Sequence, residues 1–309
     1  MFAVPVKLLH PRHWASWLGV ALIDVLGQLP FPLLWALGSL MGGLSYLLTG
    51  TRRRVARRNL QCCFPTLSNF ARERLLWTHF VWLGVAALTQ GVRWEISPAR
   101  VRRLVRISNR AVIDAQLAAG RPVILLAPHF VALELGGAGL TALVHPCVHM
   151  YQRLRNPVMD WRIRRARCQF GSIPIERRDD LRGLIRVIKS GAPFIYLPDQ
   201  DAGRRGIFVP FCNQPAATVP MLGRFSALTD AVVIPTITRF LPWGRGVELH
   251  FDSPLEQFPS GDPIADTTRM NQIIEDWVHK LPAQYFWVHR RFKTRPPNLP
   301  PLYSSPHKR

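Results

Sequence analysis

Pro122-Val-Ile-Leu-Leu-Ala-Pro-His129-Phe-Val-Ala-Leu-Glu134-Leu-Gly-Gly137 is the stretch on which the reading of this chain turns. Its first part, Pro122 to Ala127, is a short and wholly apolar run, as expected of a central strand buried on both faces. Leu133 to Leu143 then reads as a helix. A histidine directly beyond the C-terminal end of a buried strand stands where open α/β sheets place their ligands. Its spacing to Glu134 is weak evidence taken alone. With 10 His and 19 acidic residues in 309, roughly 0.6 such pairs arise by chance, so the single one present decides nothing without context. Five positions along a helix rotate by roughly 140°, so on one regular helix the two side chains would diverge. His129 therefore belongs to the turn before the helix that carries Glu134. From there a carboxylate could hold one ring nitrogen and leave the other free as a base. The plainer alternative is a buried histidine capping the helix, with Glu134 pairing an arginine.

Outward from this stretch, strands and helices alternate. Ala71 to Trp94 reads as a long amphipathic helix with Ser68 as its N-cap. Val148–Tyr151, Ile173–Ile175, Pro193–Leu197, Val232–Thr238 and Val247–Phe251 read as strands. Pro157–Gln169, Asp180–Ser190, Thr218–Thr229 and Asp262–Lys280 read as helices, the last opened by Asp262-Pro263. This alternation predicts an α/β fold with a mostly parallel central sheet flanked by helices. There is no internal repeat. The tail from Pro296 is Pro-rich and expected to be disordered, which bounds the main domain at residues 51–296 and leaves 297–309 as a tail.

Charge points to the partners. Forty Lys+Arg against 19 Asp+Glu give a net +21, an excess that implies an anionic partner: nucleic acid, an acidic protein or an anionic membrane. Nucleic acid finds no support, since no RNP motif, zinc-finger spacing or helix-turn-helix signature is present. The N-terminus favours the membrane. From Trp14 to Thr49 the only charged residue is Asp24, and Pro30 and Pro32 divide the stretch into two apolar pieces near the ~20 residues that cross a bilayer. Lys7 and Arg12 precede it; Arg52, Arg53, Arg54, Arg57 and Arg58 follow it. Either one piece spans and the other lies in the interface, or both are buried helices of a soluble domain. Arginines directly beyond an apolar run fit the cytoplasmic side of a membrane, where each gains ~1 kcal/mol near anionic lipid. Residues 1–50 are therefore expected to form a membrane-associated helical segment on the cytoplasmic face of that membrane. The stretch lacks the small-residue site of a cleaved export signal. The five cysteines are odd in number and show no CxxC pair, so they read as reduced thiols.

Further strings place the His129–Glu134 box in a family. Arg57-Arg-Asn-Leu-Gln-Cys-Cys-Phe-Pro65, Asn156-Pro-Val-Met-Asp-Trp161, Leu197-Pro-Asp-Gln-Asp201, Val209-Pro-Phe211, Ala216-Ala-Thr218 and Tyr285-Phe-Trp-Val-His-Arg-Arg-Phe-Lys-Thr-Arg-Pro296 accompany it. With these the chain, from about Leu29 to Pro296, resembles the late acyltransferases of lipid A biosynthesis, a branch of the lysophospholipid-acyltransferase-like superfamily. The last string is the longest and most specific. The resemblance implies transfer of a fatty acyl group from an acyl carrier protein to a hydroxyl of a Kdo-bearing lipid A precursor, without a cofactor. A relative that acylates another glycolipid, or a lipid-binding protein without catalysis, are the readings it stands against.

The implied chemistry is direct. No GxSxG elbow is present and no cysteine sits beside the box, so an acyl-enzyme route lacks a nucleophile. His129 would take the proton of the acceptor hydroxyl, with Glu134 orienting the imidazole. By resemblance Arg167 is the candidate oxyanion donor, and Arg164 beside it a candidate for substrate contact. Asp199 and Asp201 follow a strand and are placed to order the site or its arginines. As a bare Asp-x-Asp they lack a third metal ligand, and the alternating His145, Cys147 and His149 lack a fourth, so no metal is expected. The ten arginines between Gln152 and Lys189 suit docking of an acidic carrier protein and a sugar-phosphate lipid.

Overall fold

The structure, a computed structural model, describes residues 3–176 and 181–303. Helices α1 (Trp14–Gly27), α2 (Phe31–Leu48) and α3 (Gly50–Cys63) lead into α4 (Asn69–Leu88), which α5 (Gln90–Trp94) continues almost directly. Helix α6 (Pro98–Leu104) precedes strand β1 (Val105–Ser108), and α7 (Arg110–Ala118) precedes β2 (Val123–Leu126). Next come α8 (Leu133–Leu143), β3 (Val148–Tyr151), α9 (Pro157–Arg167), β4 (Ile173–Glu176), α10 (Leu181–Lys189) and β5 (Phe194–Tyr196). A hairpin of β6 (Ile207–Phe211) and β7 (Gln214–Thr218) is followed by α11 (Leu222–Thr229), β8 (Val232–Phe240), β9 (Val247–Phe251) and α12 (Pro263–Lys280).

Seven strands form one sheet in the order β1-β9-β8-β2-β5-β3-β4. Every neighbouring pair is parallel except β8 and β9. The expected α/β fold with a mostly parallel, helix-flanked sheet is the fold observed. The apolar run that opens the argument is β2, at the sheet's centre and wholly buried. Its side chains alternate between two cores. Ile124 and Leu126 pack with Phe80, Phe225 and Met270, whereas Val123 and Leu125 pack with Val101, Leu135 and Phe240. Local chemistry sets the helix starts. The Ser68 hydroxyl accepts from the Ala71 amide, and the Asp262 carboxylate accepts from that of Ile264, each meeting a donor that the helix itself leaves unpaired.

Three readings of the sequence change. Thr218 is not the start of a helix but the end of β7; α11 begins only at Leu222. Pro220 explains this, because proline pushes the residue before it, Val219, toward extended backbone. The cysteines are not all free thiols. Cys63, ending α3, is joined to Cys212 in the β6–β7 turn, 149 residues away, with Cα atoms 4.7 Å apart. No local spacing announces such a pair. The Pro-rich tail is packed as far as Tyr303, whose hydroxyl lies between the Phe292 amide and the Asn59 side chain; residues 304–309 lie outside those described. So do Arg177, Arg178, Asp179 and Asp180, where the expected α10 helix was to begin.

The N-terminal helices are fastened to the body. Phe31 and Leu34 belong to the same core as Val123 and Leu125. Gly38 and Gly42 of α2 meet the α4 backbone so closely that an added Cβ would lie 2.6 Å from Val85 Cα and 2.7 Å from Val81 Cα. Asp24, the one charge in the apolar stretch, pairs at 2.6 Å with the buried Arg162 of α9.

Candidate active site

His129 sits in the turn between β2 and α8, as its position after an apolar strand required. Two anchors hold that turn. The Phe286 amide donates to the His129 carbonyl at 3.0 Å, and the Val131 amide donates to the Gln284 carbonyl at 2.9 Å. The C-terminal string beginning at Tyr285 is thus the floor under the histidine.

The imidazole's partner is Asp199, in the loop after β5. One Asp199 oxygen lies 2.6 Å from His129 Nδ1, and the other accepts the His129 backbone amide at 2.8 Å. This carboxylate accepts from both the ring and the main chain of one residue, so it fixes ring orientation and tautomer together. Nδ1 carries the proton and Nε2 is left as the free base. Asp199 is 3% exposed, the His129 side chain 27%. Burial opposes protonation of His129, but the charge and hydrogen bond of Asp199 outweigh it and hold the ring above its ordinary pKa of 6.5. Burial likewise works against ionised Asp199, and the histidine and Arg291 outweigh it, so the carboxyl stays below its usual range.

Glu134 does not orient the imidazole, contrary to the first of the two readings of the box. It lies in the first turn of α8 and pairs with Arg167 at the end of α9, and with Arg93 of α5 at 3.3 Å. The arginine pairing of the plainer alternative is what the fold adopts. The two guanidinium groups overcome the cost of burial and lower the Glu134 pKa to about 2. His149 of β3 lines the same wall; burial, aided by Arg167, lowers its pKa to about 4. Ionised Glu134, two guanidinium groups and a neutral imidazole therefore make up this polar wall.

A cavity of about 530 Å³ opens over these residues. One side is polar: Arg93, Glu134, Thr141, His149 and Arg167. Another part of the lining is apolar: Met150, Phe194, Tyr196, Met221 and Phe225, which pack in the core that Ile124 and Leu126 share. His129 lines the same cavity. The site thus sets an imidazole of fixed orientation in a cavity whose lining is part charged and part apolar.

The other expected residues are placed differently. Asp201 borders the cavity, but its carboxylate accepts from both the amide and the hydroxyl of Thr294, each at 3.0 Å, and its own amide donates to His289. It ties the C-terminal string to the β5 loop. Arg164 is exposed, with its guanidinium over the Tyr151 ring, and does not border the cavity. Among the described residues no group of three His, Cys, Asp or Glu side chains is arranged to hold a metal. Two contributors went unread in the sequence. Arg93 was submerged in the apolar helix Ala71–Trp94, where a lone arginine near the end was its only signal. Arg291, inside the C-terminal string, donates to the Gln200 and Ala217 carbonyls and the Thr218 hydroxyl, clamping the loop that bears Asp199.

Known proteins resemble this chain over nearly its whole length. Residues 3–294 match the family model described as bacterial lipid A biosynthesis acyltransferase. The chain is 33% identical over 298 residues to the lipid A biosynthesis lauroyltransferase of Escherichia coli K12, covering 96% of this chain and 97% of that one. It is 33% identical over 300 residues to the palmitoleoyltransferase of the same organism, with the same coverage. A lipid A biosynthesis acyltransferase of Haemophilus influenzae is 34% identical over 302 residues, covering 96% of each chain.

Proposed function

The chain belongs to the bacterial lipid A biosynthesis acyltransferase family, and on that premise we propose that it moves a fatty acyl chain from acyl carrier protein to a hydroxyl of a Kdo-containing lipid A precursor. His129 is the base. Its Nε2 takes the proton of the acceptor hydroxyl as that oxygen attacks the thioester carbonyl carbon. The tetrahedral intermediate then collapses, the C–S bond breaks, and the leaving thiolate recovers the proton from His129. Asp199 steadies the imidazolium in between. Arg167, held by Glu134, is the candidate donor to the oxyanion, and Arg93 fixes Glu134 from behind. Transfer is direct, within a ternary complex, and uses no metal. The acyl chain occupies the apolar side of the cavity, leaving the charged side to the acceptor.

The observation that supports this most is the buried carboxylate on His129 Nδ1, which leaves Nε2 free on a residue that lines a partly apolar cavity. The exposed apolar faces of α1 and α2 and the basic surface support a place of work on the cytoplasmic face of the inner membrane.

The test is transfer itself. Purified protein given acyl carrier protein charged with a fatty acid should add that chain's mass to the precursor, and His129→Ala should lose about 10²–10⁴-fold in kcat. Equal use of acyl-CoA would remove the carrier protein from the proposal. Near-normal kcat in well-folded His129→Ala would remove the mechanism.

A further inference from the structure

The outward faces of α1 and α2 are apolar and uncovered. Trp14, Leu18 and Leu22 on α1 are 59–73% exposed, and Leu40, Leu44 and Leu47 on α2 are 51–64% exposed. Spacings of three and four put each set on one face of its helix. The opposite faces are occupied. Gly27 of α1 lies against Gly91 and Val92 of α5, while α2 runs along α4 through Gly38 and Gly42. Helices α4 and α5 form nearly one rod, with α2 packed on α4 and α1 on α5. Exposed basic residues mark both ends: Lys7 and Arg12 before α1, Arg52 and Arg54 after α2.

Neither helix is free to cross a bilayer. At 1.5 Å per residue the 14 residues of α1 span about 21 Å, well short of a hydrocarbon core of about 30 Å. Insertion would also pull Asp24 from Arg162, a guanidinium 3% exposed, and carry a carboxylate into lipid. For α2, insertion would draw Phe31 and Leu34, at 4% and 0% exposure, out of the protein core.

We propose that α1 and α2 are a monotopic docking face: both lie in the plane of one anionic leaflet, apolar stripe inward, and the chain before and after them stays on the same side. Basic ends on an apolar face complement an anionic lipid surface rather than a second copy of this equally basic chain. The arrangement also couples membrane to site, since α9 holds α1 through Arg162 and carries Arg167 to the cavity wall. The inference rests on the reading that this enzyme works at a membrane lipid.

Full-length protein with Cys62→Ser and Cys168→Ser, carrying either Lys7→Cys or Arg54→Cys, would be expressed in cells. Inverted and right-side-out inner-membrane vesicles would then be treated with an impermeant maleimide. Both reporters should label in inverted vesicles and neither in right-side-out ones. Labelling of the two from opposite sides would overturn the monotopic arrangement and leave the membrane location standing, whereas full-length protein in the low-salt soluble fraction would overturn both. In parallel, Leu22→Ser, Leu40→Ser and Leu44→Ser together should weaken binding to phosphatidylglycerol-containing vesicles by about tenfold per leucine. The melting temperature should hold, because these side chains already face outward. Unchanged vesicle binding by the triple variant, or its conversion of a dimer to a monomer, would assign the face to something other than lipid.

Discussion

Asp199→Asn isolates the contact on which the mechanism depends. The native carboxylate accepts two hydrogen bonds from His129, at 2.6 Å from the ring and 2.8 Å from the main chain. An asparagine keeps the size of the group but has one acceptor oxygen. If that oxygen serves the backbone amide, its NH2 faces Nδ1 and forces the ring proton onto Nε2, the atom that must act as base. Loss of the correct tautomer in a histidine–carboxylate pair costs about 10⁴ in kcat in the serine-protease precedent, and kcat here should fall by about 10³–10⁴. Stability should suffer much less. Removing one charge-assisted hydrogen bond of a buried group costs about 1.5–3 kcal/mol, a few degrees in Tm for a chain of this size. Acyl transfer would be followed by mass spectrometry of the product lipid, with Tm read on the same preparations. A well-folded Asp199→Asn within tenfold of wild-type kcat would refute the reasoning. A Glu134→Gln variant that instead abolished the histidine's pH limb would return the orienting role to Glu134.

Because Asp199 holds His129 above its ordinary pKa, kcat/KM should rise with pH through a value above 6.5; the limb should vanish in His129→Ala and move lower in Asp199→Asn, where the main force opposing burial is gone. Glu134 and Arg167 should behave as one unit in a double-mutant cycle, the double variant falling little below either single, whereas Glu134→Ala and Asp199→Asn should compound. Folded Glu134 has a pKa lowered to about 2 from 4.5, so its contribution to stability is complete above pH 4.5 and is lost as pH falls toward 2; acid denaturation of Glu134→Gln should be correspondingly shallower in that window. Asp24→Leu leaves the buried Arg162 with the half-exposed Glu95 at 3.3 Å and the neutral Trp94 carbonyl at 3.1 Å and should cost up to about 3–5 kcal/mol, while Gly38→Leu should be at least as damaging because its Cβ would lie 2.6 Å from Val85 Cα. Differential scanning calorimetry in detergent checks both, and a Tm within a degree of wild type in either would contradict the packing described.

Some of this molecule is set by local rules that a sequence displays. A run such as Val123–Leu126 has nowhere to go but the centre of a sheet, and the turn after it must expose His129 at the strand's C-terminal end. Helix starts at Ser68 and Asp262 follow from side chains that meet the first free amides. The apolar, almost uncharged character of the N-terminus is legible from composition alone. The C-terminal string Tyr285–Pro296 announced its importance by likeness but not its task, because that task is to support a turn more than 150 residues earlier.

What the tertiary structure decided are the pairings between side chains far apart in sequence. His129 and Asp199 are 70 residues apart, Glu134 and Arg167 are 33, and Cys63 and Cys212 are 149. Spacing offered Glu134 to His129, since it was the nearest acid. The sheet order overruled it by setting β5 beside β2, so that the loop after β5 delivers Asp199 to the ring. The start of α8 turned Glu134 toward two arginines whose charge its burial required. Asp24 follows the same logic: a lone carboxylate in an apolar helix identifies no partner until packing brings a buried guanidinium to it. Periodicity is a property of neighbours along the chain, and sequence reports it faithfully. Neutralising a buried charge is a property of neighbours in space, and only the folded arrangement of helices and strands determines which they are.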